Sequence, residues 1–209
     1  KKAKDFLHKT TGHQNIQIIG NPIRNMKWPE SGARKKIVLN VGRFIKSKQQ
    51  KQLVDIFDSI DDAYDWRLLF VGDGPEFESV VNYAKTKKSF GRIEFIKHTG
   101  EIDKYYNQAS IFAFTSVSEG FPNVLGEALG CGMICIAYDC CAGPSDLIKN
   151  YENGFLIPEN RVDIFTETLR EAMINADKYE HFRRNAMESI KLFDKDIISE
   201  RFLDFITDV

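Results

Sequence analysis

This sequence has almost no net charge, no long apolar run and no initiator methionine, and each absence narrows what it can be. A formal charge of −1, from 29 basic and 30 acidic residues, leaves no electrostatic footprint for nucleic acid. No apolar stretch approaches the roughly 18 residues that a membrane span needs. The opening KKAKDFLHKT lacks the apolar centre of a signal peptide. The missing Met leads to the expectation that the chain is a piece of a longer, cytoplasmic protein. Internal repeats and low-complexity tracts are absent. So is a complete G-x-G-x-x-G: Gly72 and Gly74 follow an apolar run, but Phe77 occupies the third glycine's place, which disfavours a nicotinamide-dependent oxidoreductase domain. Cysteine is confined to Cys131, Cys135, Cys140 and Cys141, with no His close in sequence, so buried reduced thiols are expected rather than a metal site.

What is present is ordinary for a soluble globular chain: 43% hydrophobic and 28% charged residues in 209, enough to bury a sizeable core. Residues 1–15 read as the end of a polar helix and a loop, 15–19 as a short strand, and Gly20-Asn21-Pro22-Ile23 as a rigid turn. From residue 35 onward strands and helices alternate. Apolar runs at 36–41, 66–71, 93–96, 111–115, 133–138 and 154–157 read as strands. Between them lie helical stripes, among them Leu53, Ile56, Phe57 and Ile60, then Phe77, Val80, Val81 and Ala84, and later Val162, Phe165, Leu169 and Ala172. Continuously apolar strands separated by amphipathic helices predict an α/β fold, a Rossmann-like parallel sheet with helices on both faces. Ligands on such sheets bind beyond the carboxyl ends of the strands.

One stretch at such an end organises the rest: TSVSEGFPNVLGEALGCGMICIAYDCCAGPSD, residues 115–146. A loop holding Glu119, Gly120, Phe121 and Pro122 leads into a helix whose first turn is 123–126. Unpaired backbone N–H groups at a helix start attract anions, and glycine lets a ligand approach closely. Glu119 and Glu127 bracket that start and can accept hydrogen bonds from sugar hydroxyls. An anion with hydroxyls on either side is a nucleotide sugar. Glu127 shares a helix face with Asn123, and its neighbours Val124, Leu125, Ala128 and Leu129 predict a largely buried helix, where an unpaired carboxylate is costly. Close packing against a strand accounts for Gly126 and Gly130. Upstream, Gly42 and Arg43 end the first strand and Lys48 opens the following helix. Arg offers phosphate a planar fork of donors and Lys a mobile point charge.

Glu119 and Glu127, separated by seven residues that include Gly120-Phe121-Pro122-Asn123-Val124, resemble the E-x7-E element of retaining GT-B glycosyltransferases, family 4. Glu127-Ala128-Leu129-Gly130-Cys131-Gly132 is similar to that family's E-A-M-A-C-G-x-P segment, with Gly130 for the usual alanine and Met133-Ile134 in the proline's place. Gly42-Arg43 and Lys48 resemble its G-R-x4-K element, with Gln49 where glycine usually follows the lysine. Gly72-Asp73-Gly74-Pro75 resembles its G-x-G-P turn, and Cys140-Cys141-Ala142-Gly143-Pro144-Ser145-Asp146 the D-C-x-x-G-P-x-E/D loop of members that build bacterial surface polysaccharides.

The resemblance implies the C-terminal, donor-binding half of a GT-B fold, with residues 1–22 as the end of an N-terminal domain and its linker and 23–209 as the donor domain. It implies that Arg43, Lys48 and the helix start at Asn123, Val124 and Leu125 stabilise a leaving diphosphate. Glu119 then contacts the transferred sugar and Glu127 the ribose, with Gly42, Gly72, Gly120, Phe121, Pro122, Lys97 and His98 lining the donor site, the last two through their backbone. The 140–146 loop is placed near the sugar or the acceptor. The implied reaction is retaining transfer of a hexose or N-acetylhexosamine (N-acetylgalactosamine is one candidate) from UDP to a lipid-linked oligosaccharide. The acceptor is reached through a missing N-terminal domain, in a full-length protein peripheral to the membrane. Asp194-Lys195-Asp196 fits the D-x-D metal pattern of GT-A transferases, but its place between predicted helices favours charged helix caps, and neither cofactor nor essential metal is expected. The alternative is a non-catalytic module that binds a nucleotide sugar.

Overall fold

The computed structural model of the chain describes residues 2–12, 16–26, 34–62, 65–97 and 99–207. The apolar runs become strands β1 (Lys35–Val41), β2 (Arg67–Val71), β3 (Ile93–Ile96), β4 (Ala109–Phe114), β5 (Ile134–Asp139) and β6 (Phe155–Pro158). They form one sheet in the order β3-β2-β1-β4-β5-β6, every neighbouring pair parallel. This is the Rossmann strand order. It reverses direction between β1 and β4, and the crevice that opens at that point is where such sheets take ligands.

After α1 (Lys2–Thr11), helices α2 (Gln50–Asp58), α3 (Phe77–Ala84), α4 (Ile102–Gln108), α5 (Asn123–Gly130), α6 (Pro144–Leu147) and α7 (Val162–Ile174) join successive strands or follow the last one. Helices α8 (Glu180–Ile190) and α9 (Lys195–Thr207) close the described chain. Alternate residues of each strand enter opposite cores. Val38, Leu68, Phe70, Ile111, Ala113, Ile134 and Ile136 pack with side chains of α2, α3 and α7. Leu39, Leu69, Phe112, Phe114, Cys135 and Ala137 pack with α5, α8 and, from the segment ahead of β1, Ile23 and Met26. Burial on both faces is why these strands are apolar without alternation. Phe77, in the place of the missing third glycine, is a core residue, its ring 4.9 Å from that of Phe44 and edge-on to it.

Two expectations are corrected. Residues 16–19 form no strand, and Asn15 lies outside the described residues. Strands need paired backbone groups, but this segment meets no sheet edge and leads to Gly20, where a Cβ would stand 2.7 Å from the Phe193 ring. Gly126 and Gly130 pack against no strand. A Cβ on Gly126 would lie 2.4 Å from Ile23 Cδ1, and one on Gly130 would touch Ile190 and Met26. The small residues let residues 23–26 and α8 lie directly on α5.

Candidate functional site

The chain leaves β1 through Gly42 and Arg43, makes a 3-10 turn at Lys46–Lys48 and enters α2. It leaves β4 at Phe114 and returns as α5. Because β1 and β4 are adjacent, these loops face each other across the crevice, and they are tied together. Thr115 Oγ1 donates to the Lys48 carbonyl at 2.9 Å, and the Val117 N–H donates to the Ser47 carbonyl at 2.9 Å. The Lys48 ammonium forms an ion pair with the Glu119 carboxylate, the two side chains only 17% and 12% exposed, and lies 5.5 Å from the centre of the Phe114 ring. Asn40, buried within β1, donates from Nδ2 to the Ala113 carbonyl at 2.8 Å and pins the same two strands near their ends. A strong cation and a carboxylate are thereby held at the mouth of the crevice by parts of the chain 71 residues apart.

Beside this pair a cavity of about 510 Å³, of the size that takes a small-molecule ligand, is lined by Val41, Gly42, Arg43, Gly72, Thr99 and Ile102 among others. Gly72 must be glycine. Its φ is +145°, and a Cβ there would stand 2.0 Å from the Gly42 carbonyl oxygen. The Gly42 N–H donates to the Val71 carbonyl and the Gly72 N–H to the Ile96 carbonyl, so the ends of β1, β2 and β3 form one surface. Arg43 is exposed, and its carbonyl accepts from Gln50 Nε2 at 3.1 Å. Lys97 extends along the outside of α3, 5.2 Å from the Phe77 ring and 3.9 Å from Glu78, and its side chain is not part of the cavity wall. His98 lies outside the described residues.

At the start of α5, Pro122 is the N-cap and its carbonyl accepts from the N–H groups of Leu125 and Gly126. The Asn123 N–H turns back to the Phe121 carbonyl, and the Asn123 side chain accepts from Asn21 Nδ2 at 3.3 Å. Of the three first-turn donors, two are therefore already used, and Val124 keeps the N–H that has no acceptor among the described residues. Glu127, one turn on, is mostly buried at 19% exposure and has two unlike neighbours. Arg24 Nε is 3.7 Å away, while Arg24 Nη2 meets Asp103 at 2.6 Å. From the core side, the hydroxyl of the fully buried Tyr106 lies near Glu127 and donates to the Val124 carbonyl at 3.3 Å. Burial first, and then the Glu127 carboxylate, push this hydroxyl well above its ordinary range, so it remains a proton donor.

The 140–146 loop lies against the Glu119–Pro122 loop. Gly143 has φ +97°, and a Cβ on it would stand 2.2 Å from Pro122 Cδ. Burial, reinforced by the Glu119 carboxylate, pushes the Cys140 thiol up to about 11. Between the two loops a second cavity of about 260 Å³ is lined by Gly120, Phe121, Cys141, Ser145, Asp146 and Arg201, with residues 18–21 completing it. A third, of about 420 Å³, lies at the opposite end of the sheet beside Arg34 and Arg183. Those arginines donate to main-chain carbonyls where α4 and α5 end, including Tyr106 at 2.9 Å and Gly132 at 3.2 Å. That arrangement closes helix ends, away from the crevice. Three of the cysteines are buried and Cys141 is exposed. Asp194 accepts from the Asp196 N–H at 2.9 Å, capping α9 as the sequence pattern suggests.

The sequence reading names Arg43, Lys48, Glu119 and Glu127 but misses Thr99, Ile102, Tyr106 and Arg24. Thr99 and Ile102 carry no motif. Tyr106 reads as one more apolar residue of α4, and Arg24 directly follows the Asn-Pro-Ile turn without any distinguishing pattern.

Comparison with known proteins agrees with this architecture. The chain is 32% identical over 169 residues to an uncharacterized glycosyltransferase of Haemophilus influenzae, covering 79% of this chain and 47% of the relative. It is 27% identical over 210 residues to the amylovoran biosynthesis glycosyltransferase AmsD of Erwinia amylovora, covering 97% and 59%. It is 30% identical over 177 residues to the lipopolysaccharide 1,6-galactosyltransferase of Salmonella typhimurium, covering 80% and 49%. The chain thus spans about half the length of these relatives. Among solved structures, a TarM variant of S. aureus superposes with a TM-score of 0.88 at 21% identity, over 97% of this chain and 41% of that one. The apo lipopolysaccharide outer core galactosyltransferase WaaB superposes with 0.83 at 25% identity, over 99% and 59%. The family profile described as Glycosyl transferases group 1 matches residues 24–189, from ahead of β1 into α8, and the chain belongs to that family, with the GT-B, family 4-like architecture its motifs resemble.

Proposed function

We propose that this chain is the donor-binding half of a retaining glycosyltransferase that moves a hexose or N-acetylhexosamine from UDP to a lipid-linked saccharide in bacterial surface-polysaccharide synthesis. The observation that carries the reading is the Lys48–Glu119 pair across the sheet's switch point, beside a cavity floored by Gly42 and Gly72. The cavity takes the nucleoside, with Glu127 accepting from ribose hydroxyls. Arg43, Lys48 and the Val124 N–H take the diphosphate. An ammonium has three donors, so Lys48 can keep Glu119 and still reach a phosphate oxygen. The sugar then lies toward Glu119 and the second cavity. In the reaction the bond from the anomeric carbon to the diphosphate oxygen breaks and a bond to the acceptor oxygen forms on the same face. The acceptor's proton passes to the departing phosphate. Cations preset where negative charge grows are commonly the largest catalytic contribution, and Arg43 and Lys48 supply that charge without a metal.

A hexose or N-acetylhexosamine is supported by relatives named as galactosyl- and N-acetylgalactosaminyltransferases, and UDP by its presence in the TarM complex. Association with a membrane surface would rest on parts of a longer protein. Within this chain, no helix among the described residues is long and apolar enough to cross a membrane. Calorimetric titration of UDP, GDP and NAD in the presence of a chelator tests the proposal. UDP is expected to bind, with Arg43→Ala and Glu127→Ala each weakening it. Preferred binding of GDP would move the donor class, and binding of NAD alone would overturn the reading.

A further inference from the structure

Glu127 is the only carboxylate at the nucleoside side that the reading above uses, and the structure does not leave it to solvent to orient. Three elements distant in sequence converge on it. Its own helix α5 presents it, Tyr106 of α4 donates to the Val124 carbonyl in the turn before it, and Arg24, ahead of β1, stands 3.7 Å from its Oε1. Arg24 is in turn held at 2.6 Å by Asp103, one residue after Ile102 of the cavity wall. Tyr106 is fully buried on the core side, away from any ligand, and the Arg24 guanidinium is already engaged by Asp103. A carboxylate that is mostly buried, on a helix whose first turn is pinned by a hydroxyl and with a guanidinium beside one oxygen, is limited in rotation.

We propose that Tyr106 and Arg24 are positioning residues that aim Glu127 at the ribose, making discrimination between ribose and deoxyribose depend on a residue that precedes the first strand. This rests on the assignment of Glu127 to the ribose. The two contributions differ in size. Tyr106 is fully buried, and its hydroxyl is kept protonated by burial and by the carboxylate it faces. That hydroxyl donates to the Val124 carbonyl at 3.3 Å and so fixes the first turn of the helix that carries Glu127, and its loss in Tyr106→Phe should weaken UDP roughly five-fold. Arg24 is 47% exposed, where ion pairs are screened, so Arg24→Gln should weaken UDP only about three-fold.

The test is calorimetric titration of UDP and of 2′-deoxyuridine diphosphate into the parent chain, Tyr106→Phe, Arg24→Gln, Glu127→Ala and the double variant Tyr106→Phe/Glu127→Ala. Melting curves show that each variant is folded. Expected is weaker UDP binding in both single variants with little change for the deoxy ligand, and no further loss from Tyr106→Phe once Glu127 is gone. If Glu127→Ala is ribose-selective but Tyr106→Phe and Arg24→Gln are silent, or weaken both ligands equally, the positioning role is overturned while the ribose assignment stands. If Glu127→Ala itself affects both ligands alike, the ribose assignment falls and this inference with it.

Discussion

Replacing Glu119 by Gln separates what the Lys48–Glu119 pair does for the fold from what Lys48 does for the ligand. Ion pairs at a protein surface contribute about 0–1 kcal/mol, whereas breaking a fully buried pair costs about 3–5 kcal/mol because the remaining charge is stranded. With side chains 17% and 12% exposed beside an open cavity, this pair falls between the two limits. Glu119→Gln should therefore destabilise the free chain by about 2 kcal/mol, the ammonium keeping only an amide partner. For a domain of this size that lowers the thermal midpoint by roughly 4–8 °C. UDP should act in the opposite sense. In the parent chain its diphosphate shares Lys48 with Glu119, whereas in Glu119→Gln it is the nearest anion, so UDP affinity should be kept or improved. The midpoint shift caused by saturating UDP should then exceed that of the parent. Lys48→Met should lose comparable stability and also bind UDP at least about ten-fold more weakly, since a charge-assisted hydrogen bond is lost. Thermal unfolding with and without UDP reads both effects. The reasoning is refuted if Glu119→Gln leaves the midpoint unchanged, or if it weakens UDP as much as Lys48→Met does.

Other consequences can be checked with the same assays. Gly72→Ala should cost more than about 2 kcal/mol and abolish UDP binding, because its Cβ would stand 2.0 Å from the Gly42 carbonyl oxygen at φ +145°. An unaltered melting curve would contradict the close approach of the two strand ends. Gln49 sits in the left-handed region with φ 53°, in the place where relatives of this motif carry glycine, so Gln49→Gly should stabilise the chain by up to about 1 kcal/mol. A lower midpoint would show that the Gln49 side chain contributes more than its backbone strain costs. Thiol alkylation followed by mass spectrometry near pH 7.5 should modify Cys141 alone. The thiolate is the reactive form, and burial pushes Cys131 up to about 12, Cys140 up to about 11 and Cys135 higher still, so these three remain protonated until well above neutral pH. Rapid modification of a second cysteine would refute this.

Much of the fold is legible from short-range pattern. The six strands begin and end within a few residues of the apolar runs, and the stripes Leu53, Ile56, Phe57 and Phe165, Leu169, Ala172 face the core. The segment at 16–19 is the instructive exception. Its isoleucines have strand-like composition, but a strand exists only when a neighbour accepts its backbone hydrogen bonds, and no apolar run records where that neighbour will be. Gly126 and Gly130 show the same limit. Their need for smallness is visible, but what lies on them is Ile23, Met26 and Ile190, not a strand.

Residue chemistry and local spacing by themselves determined that this is an alternating α/β chain, that a glycine-rich turn follows the second strand, and that two cations and two carboxylates stand at strand ends. Those properties depend on side-chain type and on periods of a few residues. Only the tertiary structure decided which of them meet. The order β3-β2-β1-β4-β5-β6 makes β1 and β4 neighbours, and that adjacency alone brings Lys48 to Glu119. The passage of residues 23–26 across α5 places Arg24 beside Glu127, and the packing of α4 brings the Tyr106 hydroxyl to the Val124 carbonyl in the turn before it. Such contacts arise from how crossover helices stack on a twisted sheet, and the chain between the partners carries no local signal of them.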